Sequence, residues 1–115
     1  MNSLISVILP TYNGSRYLTQ AIESVLSQDY RDLELIIIDD ASSDVQVGEI
    51  IWEFIAKDPR VRSFRNEKNR ERSWSKNFWV RQSKWDYIAV IDDDDIWHAE
   101  KLSRKIARMK DDIHL

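Results

Sequence analysis

Three short apolar runs, each stopped by a polar tip, constrain the fold of this chain more than any other feature. Leu4-Ile5-Ser6-Val7-Ile8-Leu9 ends at Pro10, Leu33 to Ile38 ends at Asp39-Asp40, and Tyr87 to Ile91 ends at Asp92. Near-continuous apolar runs of this length read as strands buried on both faces, as in a parallel sheet. Helical stripes separate them. Tyr17, Leu18, Ala21, Ile22, Val25 and Leu26 recur at helical spacing after the turn Asn13-Gly14-Ser15. Val47, Ile50, Ile51, Phe54 and Ile55 do the same after Ser43-Asp44-Val45-Gln46, which has the form of a capping box pairing Ser43 with Gln46. Val61-Arg62-Ser63-Phe64-Arg65 alternates apolar and polar residues and reads as a half-exposed edge strand. Ser73 to Ser83 is expected to be a third helix with Trp74 and Phe78 on one face, and Ala99, Leu102, Ile106 and Met109 mark a last one.

Strand and helix therefore alternate four times, which implies right-handed crossovers and a mainly parallel sheet. The expected architecture is α/β, Rossmann-like, with three layers (αβα) and strand order 3-2-1-4. Strands one, two and four should be apolar on both faces, with ligands at the carboxyl ends of the strands. A chain of 115 residues supplies one core, so residues 1–115 are expected to form a single domain. With no cysteine and two histidines, thiol chemistry and Cys- or His-rich zinc sites are excluded. No apolar run is long enough to cross a bilayer, and no secretory leader is visible, so a cytoplasmic location is expected. The net charge of −3 argues against a general polyanion binder, nucleic acid included. The charge is uneven: nine Lys/Arg between Arg60 and Lys84 face only Glu67 and Glu71, and four carboxylates follow in a row at Asp92–Asp95.

In a parallel sheet the tips of strands one, two and four share one rim. That rim gathers Pro10-Thr11-Tyr12-Asn13, Asp39-Asp40 and Asp92-Asp93-Asp94-Asp95. Carboxylates so crowded repel one another unless a cation or a hydrogen-bonding ligand lies among them. Oxygen-only ligands suit Mg²⁺ or Mn²⁺, which commonly bridge carboxylates to substrate phosphates. Tyr12 offers a ring face for a nucleobase beside Asp40, whose carboxylate could accept a base N–H. Neither Gly-x-Gly-x-x-Gly nor Gly-x-x-x-x-Gly-Lys is present, which argues against a dinucleotide site and a P-loop.

These segments together resemble the inverting family 2 glycosyltransferases of the GT-A fold. The resemblance is carried by Ser6-Val7-Ile8-Leu9-Pro10-Thr11-Tyr12-Asn13 and by the helix through Ala21, Ser24, Leu26 and Gln28. It continues through Glu34 to Asp44, Tyr87 to Trp97 and Lys101-Leu102. It implies a donor lobe that binds a nucleotide sugar, a UDP-sugar, through Pro10, Tyr12, Asp40, Asp92 and Asp93. Asp92 to Asp94 would be the DxD-type motif, with Asp94 and Asp92 on the Mg²⁺ or Mn²⁺ ion and Arg70, Arg72 and Lys76 near the phosphates. The transfer it implies is metal-dependent and inverting, to the hydroxyl of a glycan or lipid-linked acceptor in polysaccharide biosynthesis. That work would place the protein at the inner membrane face.

Two departures stand out. Glu71, Trp79 and Trp85 occupy positions where the family has glycine, Trp74 one where it has a small residue, and Val45 replaces glycine after Asp44. The chain also matches only a donor lobe, so the acceptor site and the catalytic base are expected in a part it lacks, and none is assigned here. The alternative is a non-catalytic nucleotide-binding or assembly module on the same fold; a phosphoacceptor receiver domain is disfavoured because Arg65-Asn66 ends the third strand. Trp79 and Trp85 also suggest a homo-oligomer through exposed tryptophans.

Overall fold

The structure, a computed structural model, describes residues 4–67 and 87–113. Within them lie β1 (Ile5–Thr11), α1 (Ser15–Leu26), β2 (Leu33–Asp39), α2 (Val45–Lys57), β3 (Val61–Arg65), β4 (Tyr87–Val90) and α3 (Lys101–Ile113). The strands form one parallel sheet in the order β3-β2-β1-β4, as the alternation of elements predicts.

The two crossovers β1–α1–β2 and β2–α2–β3 step in the same direction along the sheet. Right-handedness then puts both helices on the same face. Leu18, Ala21, Ile22 and Val25 of α1 and Val47 and Ile51 of α2 meet Ile5, Val7, Leu9, Leu35 and Ile37 there. Leu102 and Ile106 of α3 join the same core, with Ile91 and Trp97. The opposite face carries a smaller cluster of Ile8, Ile36 and Ile38 with Phe64 against it. The helix expected over Ser73 to Ser83 lies outside the described residues, as do Trp74, Trp79 and Trp85. Of the other two tryptophans, Trp97 is buried and Trp52 is exposed.

Local details depart from the sequence reading for identifiable reasons. β1 does not stop before Pro10 but runs through it to Thr11. Ile8 accepts from the Ile91 amide, so its backbone faces β4. Pro10, two residues on, faces the same way, past the last β1–β4 pair, Ile8↔Val90. Its missing N–H therefore costs no ladder bond. The cap of α2 is Asp44 rather than Ser43: the Asp44 carboxylate accepts the Gln46 amide at 3.0 Å. Ser43 instead donates its amide to Asn13 Oδ1 at 2.9 Å. Tyr17 is exposed, and Ala99 lies exposed before α3 rather than on its buried stripe. β4 is not buried on both faces either: Ile88 and Val90, in register with Ser6 and Ile8, are partly exposed on the face opposite the helices.

Two polar side chains tie the elements at the opposite rim from the acidic tips. Gln28 is fully buried; its amide donates to the carbonyls of Ser24 (3.0 Å) and His98 (2.6 Å) and accepts from the Leu102 amide (3.0 Å). One side chain thus caps α3 and joins it to the end of α1. Arg60 grips Asp58 through Nε (3.1 Å) and Nη2 (2.9 Å), and Nη2 also reaches the Leu26 carbonyl at 3.1 Å.

Replacing Gln28 with Met keeps the volume but strands a buried amide and a carbonyl, which should cost about 2–4 kcal/mol in urea unfolding. The Arg60 hydrogen bond holds the Asp58 carboxyl below its ordinary value, against the opposing push of burial. Its contribution is therefore complete above the unfolded-state value and fades as pH falls through the folded one. Below about pH 4 the parent should lose stability more steeply than Asp58→Asn; parallel stability–pH curves would remove Asp58 from the account.

Candidate functional site at the carboxyl rim

Because every pair in the sheet is parallel, β1, β2 and β4 end on one rim. β1 is the strand at which the connections change direction, with β2 on one side and β4 on the other. The loops leaving such a switch point diverge and open a crevice. The segments that leave these strands at the rim are 11–14, 39–44 and 91–97.

The acidic residues of this rim are of two kinds. Asp39, Asp40 and Asp93 are buried, and Asp92, Asp94 and Asp95 are exposed. The Thr11 hydroxyl donates to Asp93 Oδ2 at 2.8 Å, a buried bond that joins β1 to the β4 tip just after the ladder has ended. Gly14 leaves the room for it. A Cβ there would stand 2.2 Å from Asp93 Oδ2 and 2.9 Å from Thr11 Oγ1. Its φ is −94°, so Gly14 is required for space, not for an unusual backbone.

On the β2 side the Asp40 amide donates to the Thr11 carbonyl at 2.9 Å. Asp39 Oδ1 accepts the Ser42 amide at 3.0 Å, and Oδ2 accepts Arg65 Nη1 at 2.6 Å. Asn66 donates its backbone amide to the Asp39 carbonyl (2.9 Å) and its side-chain amide to Asp40 Oδ1 (2.8 Å). The 13–14 turn is stitched to the 42–44 loop. Asn13 donates its amide to Ser42 Oγ at 2.9 Å, its Oδ1 accepts the amides of Ser43 and Asp44, and Ser15 donates to the Asp44 carboxylate. Among the described residues, Asn13 (φ 53°) and Ala41 (φ 62°) hold left-handed backbones.

Each residue expected at the site can now be placed. Pro10 is buried at the end of β1, and Tyr12 beyond it is 40% exposed at the mouth of the rim. Asp40 is buried against Asn66. Asp93 points inward to Thr11, while Asp92 and Asp94 on either side of it are open to solvent. Arg70, Arg72 and Lys76 lie outside the described residues. The expected repulsion among bare carboxylates is relieved by protein donors at Asp39, Asp40 and Asp93. Sequence reasoning missed those donors: Thr11, Arg65 and Asn66. Residues 39 and 40 point to opposite faces by strand alternation. The register Asp39↔Arg65 then sets a cation beside the first, and Asn66 follows beside the second.

Among the described residues, no group of three or more His, Asp or Glu side chains is placed to hold a metal ion. The rim instead offers Asp92 and Asp94, two exposed carboxylates flanking an inward one. Mg²⁺ and Mn²⁺ keep waters and bind through one or two carboxylates plus substrate phosphates. The pair therefore suits a cation completed by a diphosphate rather than an all-protein cage.

A model of the family described as Glycosyl transferase family 2 matches residues 6–114. Glycosyltransferase GlyG of Streptococcus pneumoniae is 40% identical over 96 residues, 84% of this chain and 32% of that protein. UDP-Glc:alpha-D-GlcNAc-diphosphoundecaprenol beta-1,3-glucosyltransferase WfgD of Escherichia coli is 36% identical over 106 residues, 92% of this chain and 41% of that protein. The crystal structure of S. aureus TarS 1-349 in complex with UDP superposes with a TM-score of 0.81 at 27% identity, over 94% of this chain and 32% of that one. The chain thus spans well under half the length of these relatives.

The Thr11–Asp93–Gly14 contact makes a direct prediction about stability. Thr11→Val removes one donor from a buried carboxylate and should cost about 1–3 kcal/mol. Gly14→Ala forces the same carboxylate aside and should cost a similar amount, about 1–3 kcal/mol. The two changes act on one oxygen, so their combination should cost clearly less than the sum. Additive losses in chemical denaturation would mean that the contact is not shared.

Proposed function

The chain belongs to glycosyl transferase family 2, and on that premise we propose that it is the donor-binding lobe of a metal-dependent, inverting glycosyltransferase. Its donor is a UDP-sugar, and its acceptor is a hydroxyl of a glycan or lipid-linked saccharide. The observation that carries the reading is the division of the rim. Tyr12 and Asp40 flank the β1–β2 side, and the outward pair Asp92 and Asp94 flanks the β4 side of the same switch point. A nucleoside diphosphate laid across that crevice has its base by Tyr12 and its phosphates by the aspartates.

Each group then has a task. The Tyr12 ring supplies a stacking face, and Asp40 accepts an N–H of uracil. Pro10 stiffens the chain beneath the base. Asp92 meets the ribose, and Asp94 with Asp92 holds the cation on the diphosphate. Asp93, though placed in the nucleotide site by the sequence pattern, faces Thr11 and orients its neighbours from inside. A divalent cation held there neutralises charge on the departing nucleoside diphosphate. Arg70, Arg72 and Lys76 are assigned to the phosphates on sequence grounds. UDP bound to TarS and the UDP-Glc in the name of WfgD support the choice of donor. The lipid diphosphate in the name of WfgD supports an acceptor at a membrane face. Among the described residues no helix is long and apolar enough to cross a membrane.

Titration calorimetry of the chain with UDP tests this. Binding should be tighter with Mn²⁺ than without, and Asp94→Ala should abolish the difference. Asp40→Ala should weaken UDP by about tenfold to a hundredfold, the worth of one charged hydrogen bond. Equal UDP affinity with and without metal in the parent would defeat the assignment of Asp92 and Asp94.

A further inference from the structure

The two lips of the proposed base pocket are held by a single chain of hydrogen bonds that starts at an exposed arginine. Arg65, the last residue of the edge strand β3, donates from Nη1 to Asp39 Oδ2 (2.6 Å) and from Nη2 to the Ser42 carbonyl (3.0 Å). Asp39 Oδ1 takes the Ser42 amide (3.0 Å), so the 39–42 turn is closed from both ends. Ser42 Oγ accepts the Asn13 amide (2.9 Å), and Asn13 Oδ1 accepts the amides of Ser43 (2.9 Å) and Asp44 (3.0 Å). Asp40 lies inside the closed turn, and Tyr12 adjoins Asn13.

Ala41 makes the need for such a clamp visible. Its φ of 62° lies in the left-handed region, which disfavours a residue with a Cβ. Strained backbone of this kind persists only where the surroundings over-determine it. Here they do so through Arg65 on one side and the Asp39–Ser42 bond on the other. Arg65 does not itself need to touch a ligand for this, and its side chain is 57% exposed at the sheet edge.

We propose that Arg65 is a positioning residue for the nucleobase subsite: by clamping Asp39 to the Ser42 carbonyl it fixes the turn that presents Asp40 and, through Ser42 and Asn13, the Tyr12 lip. The inference rests on the donor-site reading above. A planar guanidinium can hold a carboxylate and a carbonyl at once, whereas a lysine ammonium on a flexible stem fixes neither direction. Loss of the clamp should loosen recognition of the base and leave the diphosphate end untouched.

The test compares UDP with inorganic pyrophosphate, both with Mn²⁺, on the folded chain by calorimetry. Arg65→Met should weaken UDP by about tenfold and leave pyrophosphate within about twofold. Arg65→Lys should fall between the two. In an Ala41→Gly background, where the left-handed turn is no longer strained, Arg65→Met should lose distinctly less UDP affinity. Circular dichroism confirms that each variant is folded, and Asp40→Asn serves as the reference. If Asp40→Asn weakens UDP and Arg65→Met does not, the clamp is overturned while the base site stands. If Asp40→Asn leaves UDP binding unchanged, the base-site reading fails and the clamp with it. An equal loss of UDP and pyrophosphate in Arg65→Met would also overturn the clamp, because it would show general damage to the rim.

Discussion

Where a parallel ladder runs out, the backbone can no longer hold neighbouring strands in place, and at this rim the Thr11–Asp93 hydrogen bond takes over. The last β1–β4 backbone bond is Ile91 to Ile8. Beyond it β1 continues to Thr11 while the β4 chain turns away. The Thr11 hydroxyl reaches across that gap to Asp93, and the Thr11 carbonyl holds the Asp40 amide on the other side. Thr11 is therefore the point from which both acidic tips take their positions. Gly14 is part of the same arrangement, since any larger residue would displace the Asp93 carboxylate.

A buried carboxylate is costly unless charged or hydrogen-bonding partners replace the water it loses. Asp39 has the Arg65 guanidinium and the Ser42 amide, Asp40 has Asn66, and Asp93 has Thr11. These satisfied acids shape the loops. The acids that remain open to solvent are Asp92, Asp94 and Asp95. Acidic character at the rim is thus split between a buried, hydrogen-bonded inner set and an exposed outer set.

The sheet order and its parallel sense were legible in the sequence because they follow from residue periodicity and from the handedness of crossovers. The three apolar runs and the Leu18–Val25 and Val47–Ile51 stripes settle them. The caps were less legible. Ser43 and Asp44 are adjacent and both can cap α2; in the structure the Asp44 carboxylate takes the Gln46 amide, while Asn13, some thirty positions away in the chain, accepts the amides of both residues. Pro10 looked like a strand terminator because its environment depends on where β4 stops, which no local pattern encodes. Gln28 appeared only as part of a family resemblance, and its task, capping α3 from the end of α1, needs the packed structure to be seen. In the rim, the acidic positions could be read from the sequence but their direction could not. Direction depends on which donor each acid meets, and Thr11, Arg65 and Asn66 come from the ends of other strands.

At the β2 tip a simple geometric rule separates the two consecutive aspartates. In an extended chain neighbouring side chains point to opposite sides, so adjacent acids cannot all face the same ligand. Asp39 follows the side of Leu35 and Ile37 and meets Arg65; Asp40 follows the side of Ile36 and Ile38 and meets Asn66. At the β4 tip the chain has left the strand: the Asp95 amide donates to the Asp92 carbonyl at 3.1 Å, and this turn, not strand alternation, leaves Asp92 and Asp94 exposed with Asp93 buried between them. In that turn the middle residue of the three must fit inside. In this chain the middle residue is a third aspartate, and its fit depends on the hydroxyl of Thr11 and the missing side chain of Gly14. The same inward turn that hides Asp93 is what sets Asp92 and Asp94 apart and facing out.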